Sequence, residues 1–372
     1  MDRTARLERV RRRMAADGVD TLVALSSARH SMARPDLATH LSGFRSLRES
    51  AFVLHGDGGA RLVVTPSYDE ERALARRADT AIVATDDLAA ALAQLLAERG
   101  AKTGKVATSG LASLPFALAA RVIGAIGADA VAFDEALAAA TAPKTGDEIA
   151  HARKAAEIAE LGFARLLEIG RAGMRECDLA VELNLYTKSL GADDNFLMMS
   201  ALPHGYGVAA SSNRPLARGD VLVAEFTPSF EGQFAQICRT VSVGAPSNVL
   251  AEKYALVARS MEAGIASVRP GIPVSAVADA IDAVLTEAGY REYCRPPHMK
   301  RRGHGMGSGS TAPGDIAYDN PTVIEEDMVF VVHPNQYLPE TGYLLCGEPV
   351  RVTATGGEAL TKRWAALGTI PA

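Results

Sequence analysis

The second half of the chain repeats itself, and that repeat limits the possible folds more than any other feature. Arg171-Ala172-Gly173-Met174 aligns with Arg269-Pro270-Gly271-Ile272 at an offset of 98 residues, and Gly191 falls on Gly289 at the same offset. Each copy follows one helix and opens another. The apolar run Val221-Leu222-Val223-Ala224-Glu225 matches Val329-Phe330-Val331-Val332-His333 at an offset of 108 residues. Two copies of helix, helix and strand predict a pseudo-twofold α+β domain whose strands meet near the axis. The polar residues that end the matched strands, Glu225 and His333, are then expected to converge on one cleft.

Ahead of the repeat, short β-branched runs alternate with helical stretches, a rhythm that predicts an α/β layer domain. Strands are expected over 21–25, 51–55, 61–65, 80–84 and 105–108, and helices over 3–16, 68–77, 87–99 and 114–126. Thr145, with Glu148 three residues on, reads as a capping box that starts a new helix after a Pro143 stop. The expected domains are therefore residues 1–142 and 143–372. A length of 372 residues suits two domains.

Composition narrows the partners. Lys plus Arg number 39 against 44 for Asp plus Glu, a net charge of −5 that argues against nucleic acid and anionic membranes. Aromatics, at 5%, are too sparse for a base-stacking platform. With 48% hydrophobic and 22% charged residues the chain can bury a core, so a small-molecule partner is expected. The opening residues are charged and no apolar run approaches a membrane span, which predicts a cytoplasmic protein. Four scattered cysteines, with no C-x-x-C pair, read as free thiols.

Residues 219–240 read as two strands joined by a Gly-containing turn, with Glu225 and Gln236 as polar interruptions at facing positions. Glu225 is either a hairpin-end carboxylate in water or part of a site; its match to His333 favours the site. Gly303-His304-Gly305-Met306-Gly307-Ser308-Gly309 lacks the ending of a phosphate loop, and glycines around one imidazole suit close approach of a ligand to His304. Such a ring serves as a general acid/base or a metal ligand. Glu348, between Gly347 and Pro349, reads equally as a surface turn or a cleft residue. In the basic run Lys300-Arg301-Arg302, Arg302 is a candidate for a substrate carboxylate. His204 is a weaker loop candidate, and Tyr337 and Tyr343 could line the pocket or simply pack.

This order of segments resembles the pita-bread superfamily, peptidase family M24, which contains methionine aminopeptidase, aminopeptidase P, prolidase and creatinase. Lys144-Thr145-x-x-Glu148-Ile149 looks like its domain-opening motif, Gly219-Asp220 and Gly232 through Arg239-Thr240 keep its hairpin, and Gly303-His304-Gly305-Met306-Gly307 keeps its His loop. The stretch His40-Leu41-Ser42-Gly43-Phe44 resembles the creatinase-type N-terminal domain. That likeness implies a homodimer whose N-terminal domain reaches the neighbouring active site, with Arg45 as a candidate for holding a substrate carboxylate.

The family's peptidases hold two divalent metals with Asp, Asp, His, Glu and Glu. At those positions this chain has Glu225, Gln236, His304, His333 and Gly347, with Glu348 one residue on. The departure implies the creatinase-like, non-peptidase branch with a degenerate metal site. It would be a metal-independent hydrolase of a C–N bond in a small amide, amidine or related metabolite, with His304 as general acid/base. Glu225 and Glu348 would orient the substrate, His333 would donate to developing charge, and Gln236, His204, Arg45, Arg302 and Tyr337 would bind the substrate. No cofactor is expected on that reading. The alternatives are one divalent transition metal on Glu225, His304 and His333 in a hydrolase or lyase, an Xaa-Pro dipeptidase, and a catalytically inactive peptide-binding domain.

Overall fold

The computed structural model of the protein describes residues 3–29, 31–33, 35–77, 79–201 and 207–372. They divide into two units, Met1–Thr141 and Ala142–Ala372.

The first unit is built on a six-stranded mixed sheet in the spatial order Ala81–Ala84, Ala60–Val64, Ser50–His55, Thr21–Ser26, Val106–Ser109, Val131–Ala132. Both faces of the central strand are buried, so its residues are apolar almost throughout and alternate between two cores. Leu22 and Ala24 join Leu7, Val10 and Phe52 on one side, while Val23 and Leu25 join Val53, Leu92 and Val122 on the other. Helices Arg3–Ala16, Leu88–Arg99 and Phe116–Ile126 lie close to their expected bounds. Leu37–Ser42 is an additional helix of six residues, too short to show a helical period in sequence. It is defined by its ends: Asp36 accepts from the Thr39 N–H at 2.9 Å, and Gly43 closes it with φ of 70°.

In the second unit the internal repeat is visible in backbone geometry. Helices Gly146–Ile169 and Glu176–Ser189 form the first copy, and Asn248–Ser267 and Ser275–Glu287 the second. Gly173 and Gly271 take φ of 86° and 87°, and Gly191 and Gly289 take 95° and 91°. These are left-handed turns that side chains resist, which is why glycine recurs at this offset. The first helix opens with the capping box of Thr145 and Glu148.

Each copy feeds one sheet. The first has four strands in the order Gly368–Ile370, Ile237–Val243, Val221–Phe226, Met198–Ser200; the second has five, in the order Ser310–Asp315, Gly303–Met306, Val329–Val332, Glu348–Thr353, Gly356–Ala359. The two meet where Cys238 and Gly347 exchange backbone hydrogen bonds of 3.1 Å in both directions. This seam positions the candidate site.

Candidate active site

Glu225, near the end of strand Val221–Phe226, faces Cys238 across the hairpin and not Gln236 as the alternation suggested. The pairs Ser229–Phe234 and Phe230–Gln233 continue the same register past Thr227 to a tight turn at Glu231 and Gly232, which centres the hairpin one residue later than the alternation assumed. The Glu225 Oε1 atom accepts from the Cys238 thiol at 3.9 Å and from the Asn335 side-chain N–H at 3.1 Å. Gln236 also hydrogen-bonds this carboxyl, and the Gln236 Oε1 atom is buried without a partner among the described residues. Burial pushes the Glu225 carboxyl up to about 7, held back by the positive charge of Arg301. The Arg301 guanidinium is itself 53% exposed and paired with Asp315 at 3.0 Å.

His304 lies on strand Gly303–Met306, and His333 immediately follows the adjacent strand Val329–Val332 of the other sheet. Gly303 allows that approach, because a Cβ there would come within 2.0 Å of the Val331 carbonyl. The two rings are 5.2 Å apart at 70°. The Nδ1 atom of His304 is 3.0 Å from the Gly305 carbonyl, which can only accept, so Nδ1 carries the proton and Nε2 is free to take one. Burial lowers the pKa of both rings, and for His333 the neighbouring His304 and Arg301 add to the effect. Neutral imidazoles are therefore the resting forms. The buried Nδ1 of His333 has no hydrogen-bond partner among the described residues.

Gly347 joins the two sets. A Cβ at this position would sit 2.5 Å from the His333 Cβ and 3.1 Å from both Cβ and Sγ of Cys238. Glu225, Cys238, Gly347, His333 and His304 are thus one contiguous cluster on the seam.

The structure gives several of the other candidates partners of their own. Glu348 has no exposed surface and pairs with Arg239 at 3.0 Å while accepting from the Thr361 hydroxyl at 2.7 Å, so its carboxylate is committed to the core. Arg302 is also buried: its Nε donates to Asp282 at 2.7 Å, and Nη1 to the Pro334 carbonyl and to Gln336 at 2.9 and 2.8 Å. It braces the turn after His333 and does not face the cleft. The Tyr337 ring stacks on His298 at 5.5 Å and packs on Tyr293 at 5.9 Å. Arg45 belongs to the first unit, where its carbonyl accepts from Arg72 at 2.7 Å. His204 lies outside the described residues. Asn335 and Cys238 carried no sequence signal of their own, since each reaches Glu225 only through strand register and a turn.

A family model described as metallopeptidase family M24 matches residues 150–355, and one described as creatinase/prolidase N-terminal domain matches residues 6–140. The chain belongs to metallopeptidase family M24. It therefore has the two-domain pita-bread architecture that the motifs implied, in a family of hydrolases. An uncharacterized peptidase, YqhT, of Bacillus subtilis is 30% identical over 226 residues, 59% of this chain and 62% of that one. An Xaa-Pro dipeptidase of Pyrococcus furiosus is 28% identical over 226 residues, 59% of this chain and 63% of that one. These matches span less than two thirds of either relative. The solved Xaa-Pro dipeptidase from Bacillus anthracis superposes with a TM-score of 0.82 at 23% identity, covering 99% of this chain and 100% of that one.

These findings correct two expectations. Relatives that are peptidases, Xaa-Pro dipeptidases among them, overturn the creatinase-like, non-peptide reading in favour of the dipeptidase alternative. A family described as metallopeptidases likewise overturns the metal-independent reading.

The residues of this chain nevertheless do not fit a pair of divalent ions. An amide stands at 236, Gly347 has no room for a side chain, and the adjacent Glu348 is bound to Arg239. Among the described residues no group of three or more His, Cys, Asp or Glu side chains is arranged to hold a metal.

Proposed function

We propose that this protein is a peptide-bond hydrolase of the Xaa-Pro dipeptidase kind, acting on a small peptide in the cleft of Glu225, His304 and His333. The observation that carries the reading is the pairing, on the seam of a fold shared with Xaa-Pro dipeptidases, of a neutral imidazole with a carboxyl held up to about 7. Groups displaced toward neutrality in opposite directions can divide acid and base work.

On this reading His304 Nε2 takes a proton from water as the water oxygen bonds to the scissile carbonyl carbon. Glu225 delivers its proton to the leaving nitrogen as the C–N bond breaks. His333, whose Nδ1 has no partner among the described residues, supplies a hydrogen bond to the charge that develops on the carbonyl oxygen. Gln236, with its unmatched Oε1, receives a substrate N–H. A cytoplasmic location and a homodimer belong to the same proposal. Among the described residues no helix is long and apolar enough to cross a membrane.

The test is proline release from a panel of Xaa-Pro dipeptides, compared with Pro-Xaa dipeptides and small N-acyl amides, with Mn²⁺, Co²⁺ and Zn²⁺ each offered. Release from Xaa-Pro alone is expected. Turnover confined to the amides would reject the proposal.

A further inference from the structure

Asn335 is a buried asparagine in a backbone conformation that side chains seldom adopt. It is 3% exposed and takes φ of 35°, in the left-handed region where Asn is the least disfavoured residue after glycine. Its carboxamide is used at both ends. The Nδ2 atom donates to Glu225 Oε1 at 3.1 Å and lies 3.9 Å from the Cys238 sulfur, while Oδ1 accepts from the Cys346 N–H at 3.3 Å. An amide tethered at its oxygen cannot flip without losing both contacts, so the nitrogen stays aimed at the carboxyl.

The turn that carries Asn335 is fixed from behind. Arg302 grips the carbonyl of Pro334 and the side chain of Gln336, on either side of Asn335, and is itself anchored by the buried carboxylate of Asp282. A continuous path of hydrogen bonds thus runs from helix Ser275–Glu287 through Arg302 and the turn to Asn335 and Glu225. A turn serving only to connect strands would need neither the buried arginine nor the strained asparagine.

We propose that Asn335 is the positioning residue of this site: its side-chain N–H occupies Glu225 Oε1 and so directs the working oxygen, Oε2, with its proton, into the cleft. The proposal rests on the reading of Glu225 as the group that protonates the leaving nitrogen. It also assigns the Asp282 and Arg302 pair a purpose beyond packing, since the pair sets the position of the turn from which the amide projects.

Asn335→Gly tests this most cleanly, because glycine accepts the positive φ and removes only the amide. Asn335→Asp keeps the shape and replaces the donor by an acceptor. For Asn335→Gly, kcat for proline release is expected to fall about 10- to 100-fold with KM within about threefold. In a Glu225→Gln background the same change should add little, because the two residues act as a unit. A merely structural role predicts independent, additive losses and no selective loss of kcat.

A second measurement needs no turnover. In ¹³C-glutamate-labelled protein, with the Glu225 signal assigned by its loss in Glu225→Gln, the carboxyl resonance should titrate about one pH unit higher in Asn335→Gly, since the lost donor favoured the charged form. Asn335→Asp should move it further in the same direction. An unchanged Glu225 titration in Asn335→Gly overturns the proposal. Absence of proline release by the unaltered protein, with the resonance shift intact, would instead reject the peptidase reading and leave the assignment of Asn335 standing.

Discussion

Replacing His304 by Ala is expected to lower kcat for proline release about 100- to 10,000-fold, the range associated with loss of a positioned general base. The ring sits on strand Gly303–Met306, its Nδ1 held by the Gly305 carbonyl and its Nε2 open. Burial keeps it neutral, and so free to accept a proton, near pH 7. His304→Asn, which can retain a polar contact but cannot accept the proton usefully, should be impaired to a similar degree. The fold should survive both changes, because among the described residues the hydrogen bond of the ring goes only to its own strand. An unchanged kcat for His304→Ala would remove this residue from the mechanism.

Glu225→Gln is expected to separate activity from stability. The carboxyl titrates near 7 in the folded protein against a usual value of 4.5, because burial disfavours its charge. A group with a raised folded pKa supports the fold while protonated, and that support is lost as pH rises from about 4.5 through about 7. Above pH 7 the native protein therefore carries a buried negative charge that the Glu225→Gln variant lacks. By 1.36 kcal/mol for each pH unit, Glu225→Gln should be more stable by about 3 kcal/mol at pH 8 and nearly unchanged at pH 4, as read by denaturant titration. Its kcat should fall about 100-fold or more, and the loss of rate above pH 7 expected of the native enzyme should disappear from what remains. A stability difference that is the same at pH 4 and pH 8 would show that Glu225 is not held protonated.

Much of this architecture is legible before any coordinates. Gly173 and Gly271, and Gly191 and Gly289, announce the pseudo-twofold repeat because a left-handed turn has few other tenants. Val221 to Ala224 and Val329 to Val332 are apolar because their strands are covered, so the polar residue following each run stands out. His304 shows itself through the glycines around it. What failed depends on register and on distant partners. The residue facing Glu225 is Cys238 because the hairpin turns at Glu231 and Gly232, both at positive φ, and alternation alone does not place that turn. Glu348 and Arg302 are charged residues beside site motifs, but each is neutralised by a partner far along the chain, Arg239 in one case and Asp282 in the other. Asn335 is invisible for the complementary reason: its importance comes from a backbone conformation and a contact 110 residues away.

The family to which the chain belongs is described by its metals, and the cleft of Glu225, His304 and His333 departs from a two-metal site at 236, 333 and 347. The number of divalent ions bound per chain therefore tests the central claim most directly. It is best read by inductively coupled plasma mass spectrometry on untagged, unchelated protein after equilibration with Mn²⁺, Co²⁺ or Zn²⁺. The side chains present predict no more than one equivalent for each metal, with any bound ion lost in His304→Ala or His333→Ala. Two equivalents per chain, bound at these residues and required for proline release, would contradict the account.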